Sequence, residues 1–184
     1  MFNASEKRFL LKLAREAIIA KINGRELTLE FPDNEVFQKK MGGFVTIHKN
    51  GSLRGCIGYV KAVDTIFNTV RDMAVSAAVE DPRFPPLSVS ELKDIEIEIS
   101  MLSKLTPIQS DKDITVGPDG LFVVQGNYSG LLLPQVASEY GVDAIKFLEE
   151  TCRKAGLPAM AWKNSETRLY SFRATIFSEN NEIV

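Results

Sequence analysis

The sequence is poor in the residues from which metal sites and disulfide scaffolds are built: its 184 residues include two cysteines and one histidine. Cys56, Cys152 and His48 are too few for a structural zinc site, which needs four such ligands. At most one disulfide could form, so we expect free thiols in a reducing, cytoplasmic setting. No metal ion and no other cofactor is predicted.

An excess of positive charge is also missing. Lysine and arginine total 22 against 24 for aspartate and glutamate, which gives a formal net charge of -2. A protein that binds nucleic acid through phosphate contacts needs a basic surface, so we rank RNA or DNA binding last. Only a local basic patch would support it.

Long apolar runs and familiar catalytic fingerprints are absent as well. The longest uncharged stretch, residues 120–138, contains Gln125, Asn127 and Gln135, and charged residues interrupt the apolar positions near the N-terminus. Neither a membrane span nor a signal peptide is predicted. The signatures of P-loop nucleotide binding, dinucleotide binding, serine hydrolysis and zinc peptidases do not occur.

The sequence does contain clear helix and strand signals. Asn3 and Glu6 predict a capping box ahead of an apolar helical stripe. Asn50 and Gly51 lie between two strand-like runs, 44–48 and 53–60, which is typical of a tight β-hairpin. The other predicted elements are a helix ending near Glu80, a helix over 143–155, and strands over 95–101, 121–125, 130–133 and 169–177.

Antiparallel hairpins with intervening helices predict an α+β fold, in which a mainly antiparallel sheet is flanked by helices. The order hairpin, helix, strand occurs twice, at approximately 44–101 and 121–177. This repetition suggests an internal duplication, although few residues are identical between the halves. The prediction is one domain over 1–184, with two intertwined subdomains as the alternative arrangement.

The segment Leu-Arg-Gly-Cys-Ile-Gly at 53–58 places two glycines around a cysteine inside an apolar strand. Glycine within a strand usually marks a bulge or a close approach of backbone. The missing side chains would open a slot beside Cys56. An adjacent Arg54 on the same face would favour the thiolate and hold an anionic substrate. The alternative is a buried structural cysteine beside a surface arginine.

The hairpin register bears on a second thiol chemistry. If the loop has two residues, strand alternation places His48 and Cys56 on opposite faces, with Cys56 and Arg54 on the face of Val45 and Ile47. A local Cys–His pair of the thiol-hydrolase kind is therefore disfavoured. It would need a bulge that shifts the alternation by one, so His48 is interpreted as a surface residue near the turn.

Three further side chains carry functional alternatives. Glu98 lies on the strand face opposite the isoleucines, either as a general acid/base at the lip of a pocket or on a solvated face. Arg83 follows a helix in a loop with three prolines, either as an anion clamp or in contact with the helix C-terminus. Gln135 would hydrogen-bond a substrate or cap the next helix.

Five segments resemble those of the AMMECR domain family. They are Leu-Arg-Gly-Cys-Ile-Gly at 53–58, Asp-Pro-Arg-Phe-Pro-Pro-Leu at 81–87, Glu-Ile-Glu-Ile-Ser at 96–100, Gly-Leu-Leu-Leu-Pro-Gln-Val-Ala at 130–137 and Lys-Ala-Gly-Leu-Pro at 154–158. Their order and spacing fit, and the resemblance covers nearly the whole chain. It implies an α+β fold with antiparallel sheet and a duplicated arrangement, but no established reaction.

The resemblance also implies partners and site residues. Family members look like partners of Memo-type proteins, which resemble metal-dependent dioxygenases, and of radical S-adenosylmethionine enzymes, which suggests a modification pathway. The shared motifs give six site candidates: Arg54, Cys56, Asp81, Arg83, Glu98 and Gln135. Two residues depart from the family pattern, since many members have His at the position of Asp119 and Arg at that of Ser129. We interpret both as peripheral.

Two hypotheses follow. In the first, the chain is an enzyme or enzyme component acting on a small or peptide-like anionic substrate. Cys56 and Glu98 would be catalytic, and the remaining four candidates would bind the substrate. In the second, the chain is a non-catalytic module that docks to a Memo-type or radical-enzyme partner through an exposed apolar or proline-rich patch at 84–87.

Overall fold

The structure is a computed structural model; it describes residues 2–180 and divides into two compact units. We call residues 2–102 together with 175–180 the first unit, and Ser103–Ala174 the second unit. Each combines α-helices with antiparallel strands, so the predicted α+β class is confirmed. None of the helices within residues 2–180 has the length and apolar character needed to cross a membrane.

The helices and strands follow in chain order. They are α1 (Ala4–Ile22), β1 (Gly42–Lys49), β2 (Ser52–Tyr59), α2 (Ile66–Val79), β3 (Ile95–Leu102), β4 (Thr106–Ile108), β5 (Asp119–Gln125), β6 (Tyr128–Leu132), α3 (Pro134–Tyr140), α4 (Ala144–Lys154) and β7 (Arg168–Ser178). The strand pairing of the first unit runs β2-β1-β3 and continues to the end of β7. The second unit pairs β6 with β5 and β5 with the start of β7, which also pairs with β4.

In the first unit, α1 and α2 cover one face of the strands. The predicted capping box of α1 is present, because the side chains of Asn3 and Glu6 each accept the other residue's backbone N–H. Four residues of β1 and β3 that face the helices are buried in one apolar cluster: Val45, Ile47, Ile97 and Ile99. Their alternation leaves the opposite face of these strands for the remaining side chains.

Glycine is required where β2 meets α2. A Cβ added at Gly55 would lie 2.1 Å from the backbone carbonyl oxygen of Ala77, a distance that no methyl group can occupy. The predicted hairpin turn is also present, with positive φ at Asn50 (53°) and Gly51 (76°). The Asn50-Gly51 pair thus determines the hairpin loop, and Gly55 determines which side of β2 can face the helix.

The last described residues return to the start of the first unit. The Glu179 carboxylate pairs with the guanidinium of Arg15 on α1 and accepts the backbone N–H of Ile97. Arg15 also donates to the backbone carbonyl oxygens of Leu92 and Ile95. One ion pair therefore ties the first helix, the start of β3 and the end of the described chain together.

The second unit has its own apolar cluster. Buried residues of β5, α3, α4 and β7 form it, and they are Leu121, Val123, Ala137, Phe147, Leu148, Cys152 and Leu169. A Cβ at Gly130 would lie 2.4 Å from the backbone nitrogen of Ala155, at the end of α4. The short elements α3 and β4 were not predicted. Both units run hairpin, helix, strand, but an internal duplication stays a prediction.

Candidate functional site

Cys56 lies on the face of the sheet that the helices leave open. The pairing of β1 with β2 shifts between Ile47 and His48, because Arg54 is an extra residue, and Cys56 then pairs with Thr46. The sequence prediction that Cys56 shares the face of Val45 and Ile47 is therefore wrong. The reason is the bulge, which moves the alternation of β2 by one residue.

The same bulge brings Cys56 to the face of His48, yet the described contacts do not form a Cys–His pair. His48 pairs with Leu53 and with Glu96 in the strand register. The thiol instead accepts a hydrogen bond from the Thr46 hydroxyl, with 3.3 Å between Oγ1 and Sγ. Thr46, which the sequence analysis did not single out, is the immediate neighbour of the sulfur.

Thr46 also pairs with Glu98 on its other side. Because side chains that pair directly across strands share a face, Cys56, Thr46 and Glu98 form one line across β2, β1 and β3. We call these three residues the cysteine row. Thr46 is buried, whereas Cys56 and Glu98 are half-buried, so the two ends of the row retain contact with solvent.

Asp81 and Arg83 hold the backbone of Cys56 from outside the sheet. The Asp81 carboxylate accepts the Cys56 N–H at 2.8 Å, and Arg83 Nη2 donates to the Cys56 carbonyl oxygen at 3.2 Å. The two side chains also pair with each other, with 2.6 Å between Arg83 Nη2 and Asp81 Oδ2. β2 is an edge strand, so the pair satisfies backbone groups that no further strand would reach.

This pair places its two charges at different depths. The Asp81 side chain is 2% exposed, whereas that of Arg83 is 49% exposed. Hydrogen bonds from the Arg83 guanidinium hold the pKa of the Asp81 carboxyl well below its usual range, despite burial. A partly exposed guanidinium therefore lies beside Cys56 with its carboxylate beneath it.

Arg54 lies apart from the sulfur. Its guanidinium pairs with both carboxylate oxygens of Glu91, at 3.1 and 3.2 Å, and its side chain is only 12% exposed. Lys49 binds the same carboxylate at 3.0 Å. Hydrogen bonds from Arg54 are the largest cause of the strongly lowered pKa of Glu91. The sequence analysis predicted that Arg54 would lie beside the thiol, but the guanidinium that lies there is that of Arg83.

The surroundings of Cys56 favour the protonated thiol. Burial is the largest effect and raises the pKa of the Cys56 thiol. The Thr46 hydrogen bond and the charge of Arg83 lower this pKa, while the charges of Asp81 and Glu98 raise it. A thiolate formed in advance by a neighbouring arginine, as the sequence suggested, is therefore not what the geometry provides.

The AMMECR1 family model matches residues 11–177. The chain belongs to the AMMECR1 family. It is 46% identical over 183 residues to a protein of Methanothermobacter thermautotrophicus, covering 95% of each chain, and 48% identical over 185 residues to one of Sulfolobus acidocaldarius, covering 94% of this chain and 81% of that protein.

A solved structure supports the same assignment. The crystal structure of an uncharacterised protein from Pyrococcus horikoshii matches with a TM-score of 0.85 and 39% sequence identity. The match covers 94% of this chain and 90% of that one. The resemblance stated from the sequence motifs is therefore confirmed, together with the α+β fold that it implied.

The two residues that the sequence resemblance singled out as departures, Asp119 and Ser129, lie in the second unit. Asp119 is buried, accepts the backbone N–H of Thr115 at 2.8 Å, and lies 3.6 Å from Arg173. Ser129 is exposed on β6. Asp119 therefore closes a turn before β5.

Gln135, the sixth candidate, belongs to the second unit. It occupies the first turn of α3, where Leu133 is the capping position and no side chain caps the helix. Its Oε1 is buried, and no described hydrogen bond reaches it. The alternative of a helix cap is thus wrong for Gln135, and its substrate-binding role stays a prediction.

The proposed docking patch at 84–87 is only partly exposed. Leu87 is buried, and Phe84 is half-buried with the guanidinium carbons of Arg54 and Arg83 at 6.0 and 5.4 Å from its ring centre. The prolines of this loop are exposed. Within residues 2–180, no three His, Cys, Asp or Glu side chains are grouped so that they could hold a metal ion.

Proposed function

We propose that this AMMECR1-family chain is an enzyme, or a component of one, that acts on a small or peptide-like anionic substrate at the cysteine row. The observation that supports the proposal most is the line of Cys56, Thr46 and Glu98 across three adjacent strands. A buried hydroxyl between a half-buried thiol and a half-buried carboxylate on one sheet face is a set of groups that covalent and acid–base catalysis use.

The roles follow from the protonation of the thiol. Because the pKa of Cys56 is raised, the sulfur needs a base at the moment of reaction. Glu98 is that base, and the Thr46 hydroxyl donates a hydrogen bond that stabilises the sulfur as its proton leaves. The sulfur then adds to an electrophilic carbonyl carbon of the substrate, so that the C=O π bond breaks and its electron pair moves to the carbonyl oxygen.

Arg83 supplies the preference for an anion. Its guanidinium is 49% exposed and fixed by the buried Asp81 carboxylate, so it presents donors to solvent beside Cys56 without a conformational change. Arg54 is already neutralised by Glu91, so we assign it no direct contact with the substrate.

Labelling of the folded protein tests the nucleophile. Iodoacetamide is added across pH 6.5 to 9.5, and peptide mapping by mass spectrometry follows Cys56 and Cys152 in the same molecule. Cys152 is fully buried and reports the rate of global opening. We expect Cys56 to react much faster than Cys152. Equal rates at every pH would exclude a catalytic thiol.

A charged reagent tests the anion preference. Iodoacetate carries a negative charge that iodoacetamide lacks. The rate with iodoacetate divided by the rate with iodoacetamide therefore reports the electrostatic potential at Cys56. We expect this ratio to fall in Arg83→Gln and to stay unchanged in Arg168→Gln, which alters an exposed arginine of the second unit. An unchanged ratio in Arg83→Gln would remove the anionic substrate class.

Partnership with a Memo-type protein or a radical S-adenosylmethionine enzyme is a separate part of the proposal, and it rests on the family resemblance. The exposed prolines of the loop after α2 offer a surface for such a partner. Co-purification of tagged chain with a recombinant Memo-type protein tests it, and Pro85→Ala with Pro86→Ala should weaken the complex. A complex that survives this double change would exclude the loop.

A further inference from the structure

The face on which the Cys56 sulfur lies depends on one extra residue in β2. Without the bulge at Arg54, alternation from the hairpin turn would place Cys56 on the helix-facing side with Val45 and Ile47. With the bulge, the sulfur lies beside Thr46 on the open face. Contacts that stabilise the bulged register therefore determine on which face of the sheet the sulfur lies.

The loop over 81–91 contacts β2 on both sides of this point. On one side, the Glu91 carboxylate binds the guanidinium of Arg54, the extra residue itself. On the other side, Asp81 and Arg83 bind the N–H and the carbonyl oxygen of Cys56. Both backbone bonds to Cys56 come from side chains two positions apart in one loop.

Gly55 lies between Arg54, which Glu91 binds, and Cys56, which Asp81 and Arg83 bind. It faces Ala77 of α2 with no room for a Cβ. A slip of β2 by one residue would bring Arg54 or Cys56 to this place, and either side chain would clash with the helix backbone. The bulged register is therefore the one in which a glycine meets Ala77 and the loop meets Cys56.

We infer that the Asp81–Arg83 pair and Glu91 are positioning residues, which hold the bulged register of β2 and so keep the Cys56 sulfur on the open face beside Thr46. This inference gives Asp81 a role other than substrate binding. The inference rests on the proposed function only in assuming that the sulfur on the open face takes part in catalysis. The register itself is a property of the fold.

Nuclear magnetic resonance of the ¹⁵N,¹³C-labelled chain tests the inference without using thiol chemistry. Two readouts are followed: exchange of the Cys56 amide proton with solvent, and the Overhauser contact between the Cys56 β-protons and the Thr46 methyl group. In Asp81→Asn we expect exchange to accelerate by about tenfold or more, because a charge-assisted bond is weakened, and the contact to Thr46 to decrease.

Asp72→Asn is the matched control. It breaks the exposed Arg71–Asp72 pair of α2 in the same unit, so both Cys56 readouts should stay at wild-type values. If Asp81→Asn fails to fold, Arg83→Lys replaces it. Lysine keeps the charge opposite Asp81 but lacks the two-pronged geometry, so we expect the same changes at Cys56 with smaller size.

The outcomes separate this inference from the proposed function. Unchanged amide exchange and an unchanged Thr46 contact in the Asp81, Arg83 and Glu91→Gln variants would overturn the inference and leave the proposed enzyme standing. An unreactive Cys56 in a wild-type chain that shows the expected changes on substitution would overturn the enzyme and leave the inference standing.

Discussion

The two units place different side chains at matching points of the same three-strand arrangement. In the first unit, the residue at the middle of the central strand is Thr46, which pairs with Cys56 and Glu98. In the second unit the corresponding line is made by Phe122 with its partners Leu131 and Tyr170. The rings of Phe122 and Tyr170 are 6.1 Å apart.

The neighbouring positions match as well. Gly55 approaches the C-terminal end of α2, and Gly130 approaches the C-terminal end of α4, each too closely for a Cβ. The two units thus share the backbone requirement and differ in the chemistry of the adjacent line. The line through Thr46 is polar, whereas the line through Phe122 is mainly aromatic and apolar.

The largest expected effect comes from the shared glycines. Gly55→Ala and Gly130→Ala each force a methyl group against backbone atoms of a helix, so we expect each to lower the free energy of unfolding by about 3 kcal/mol. Gly126→Ala is the control, because its Cβ meets nothing and only the positive φ of 56° is strained. It should cost about 1 kcal/mol in urea unfolding. A Gly55→Ala loss no larger than that of Gly126→Ala would break the comparison.

The next effect concerns acid. In the folded protein the pKa of Asp81 is lowered by Arg83, so its contribution to stability is present above the unfolded pKa of about 4 and is lost as pH falls toward the folded value. Asp81→Asn should cost about 2 kcal/mol at pH 7, since the partner guanidinium is half exposed, and progressively less below pH 4.

Asp119→Asn supplies the comparison in the second unit. Arg173 lies 3.6 Å away with a 70% exposed side chain, so we expect a cost below about 1 kcal/mol. Urea unfolding from pH 2.5 to pH 7 measures both. A loss for Asp81→Asn that is the same at every pH would show that the ion pair is not its cause.

A smaller effect is expected on the thiol. Glu98→Gln removes the weaker of the two charges that raise the pKa of Cys56, so this pKa should fall. Alkylation at pH 7.5 uses thiolate that is already present and needs no base, so it should accelerate by about twofold. Glu96→Gln on the same face of β3 pairs with His48 and should leave the rate unchanged. Equal acceleration in both variants would point to a general change in charge.

The last effect tests the centre of the row. Thr46→Val removes the hydroxyl whose hydrogen bond lowers the pKa of Cys56, so this pKa should rise and alkylation at a fixed pH should slow by about fivefold. Thr46→Ser keeps the hydroxyl and should retain the wild-type pH profile. A slow Thr46→Ser variant would attribute the effect to packing.

Local signals in the sequence predicted much of the fold. The cap at Asn3, the Asn-Gly turn and the glycines of β2 each act through neighbouring residues or through one steric rule, so they could be interpreted correctly without coordinates. The short α3 and β4 were missed because a seven-residue helix and a three-residue strand give too few periods for a pattern.

The candidate site was only partly predictable. Cys56, Asp81, Arg83 and Glu98 were named, and the structure places all four in the first unit. A bulge was named only as an alternative and was not placed at Arg54, because strand alternation counted from the turn assumes an unbroken ladder. The partner of Arg54, Glu91, is distant in sequence, and the partner of Arg83 lies in an irregular loop. Thr46 is recognised as a neighbour of Cys56 only from the strand register.

The ion pair between Arg15 and Glu179 has a consequence for biosynthesis. Helix α1 and strands β1 to β3 are synthesised before the second unit, but the carboxylate that binds Arg15 and the N–H of Ile97 follows the second unit in the chain. The part of the first unit that precedes the second unit therefore lacks this ion pair until the second unit has been synthesised. Nascent chains halted shortly before and after codon 179 should differ sharply in protease resistance.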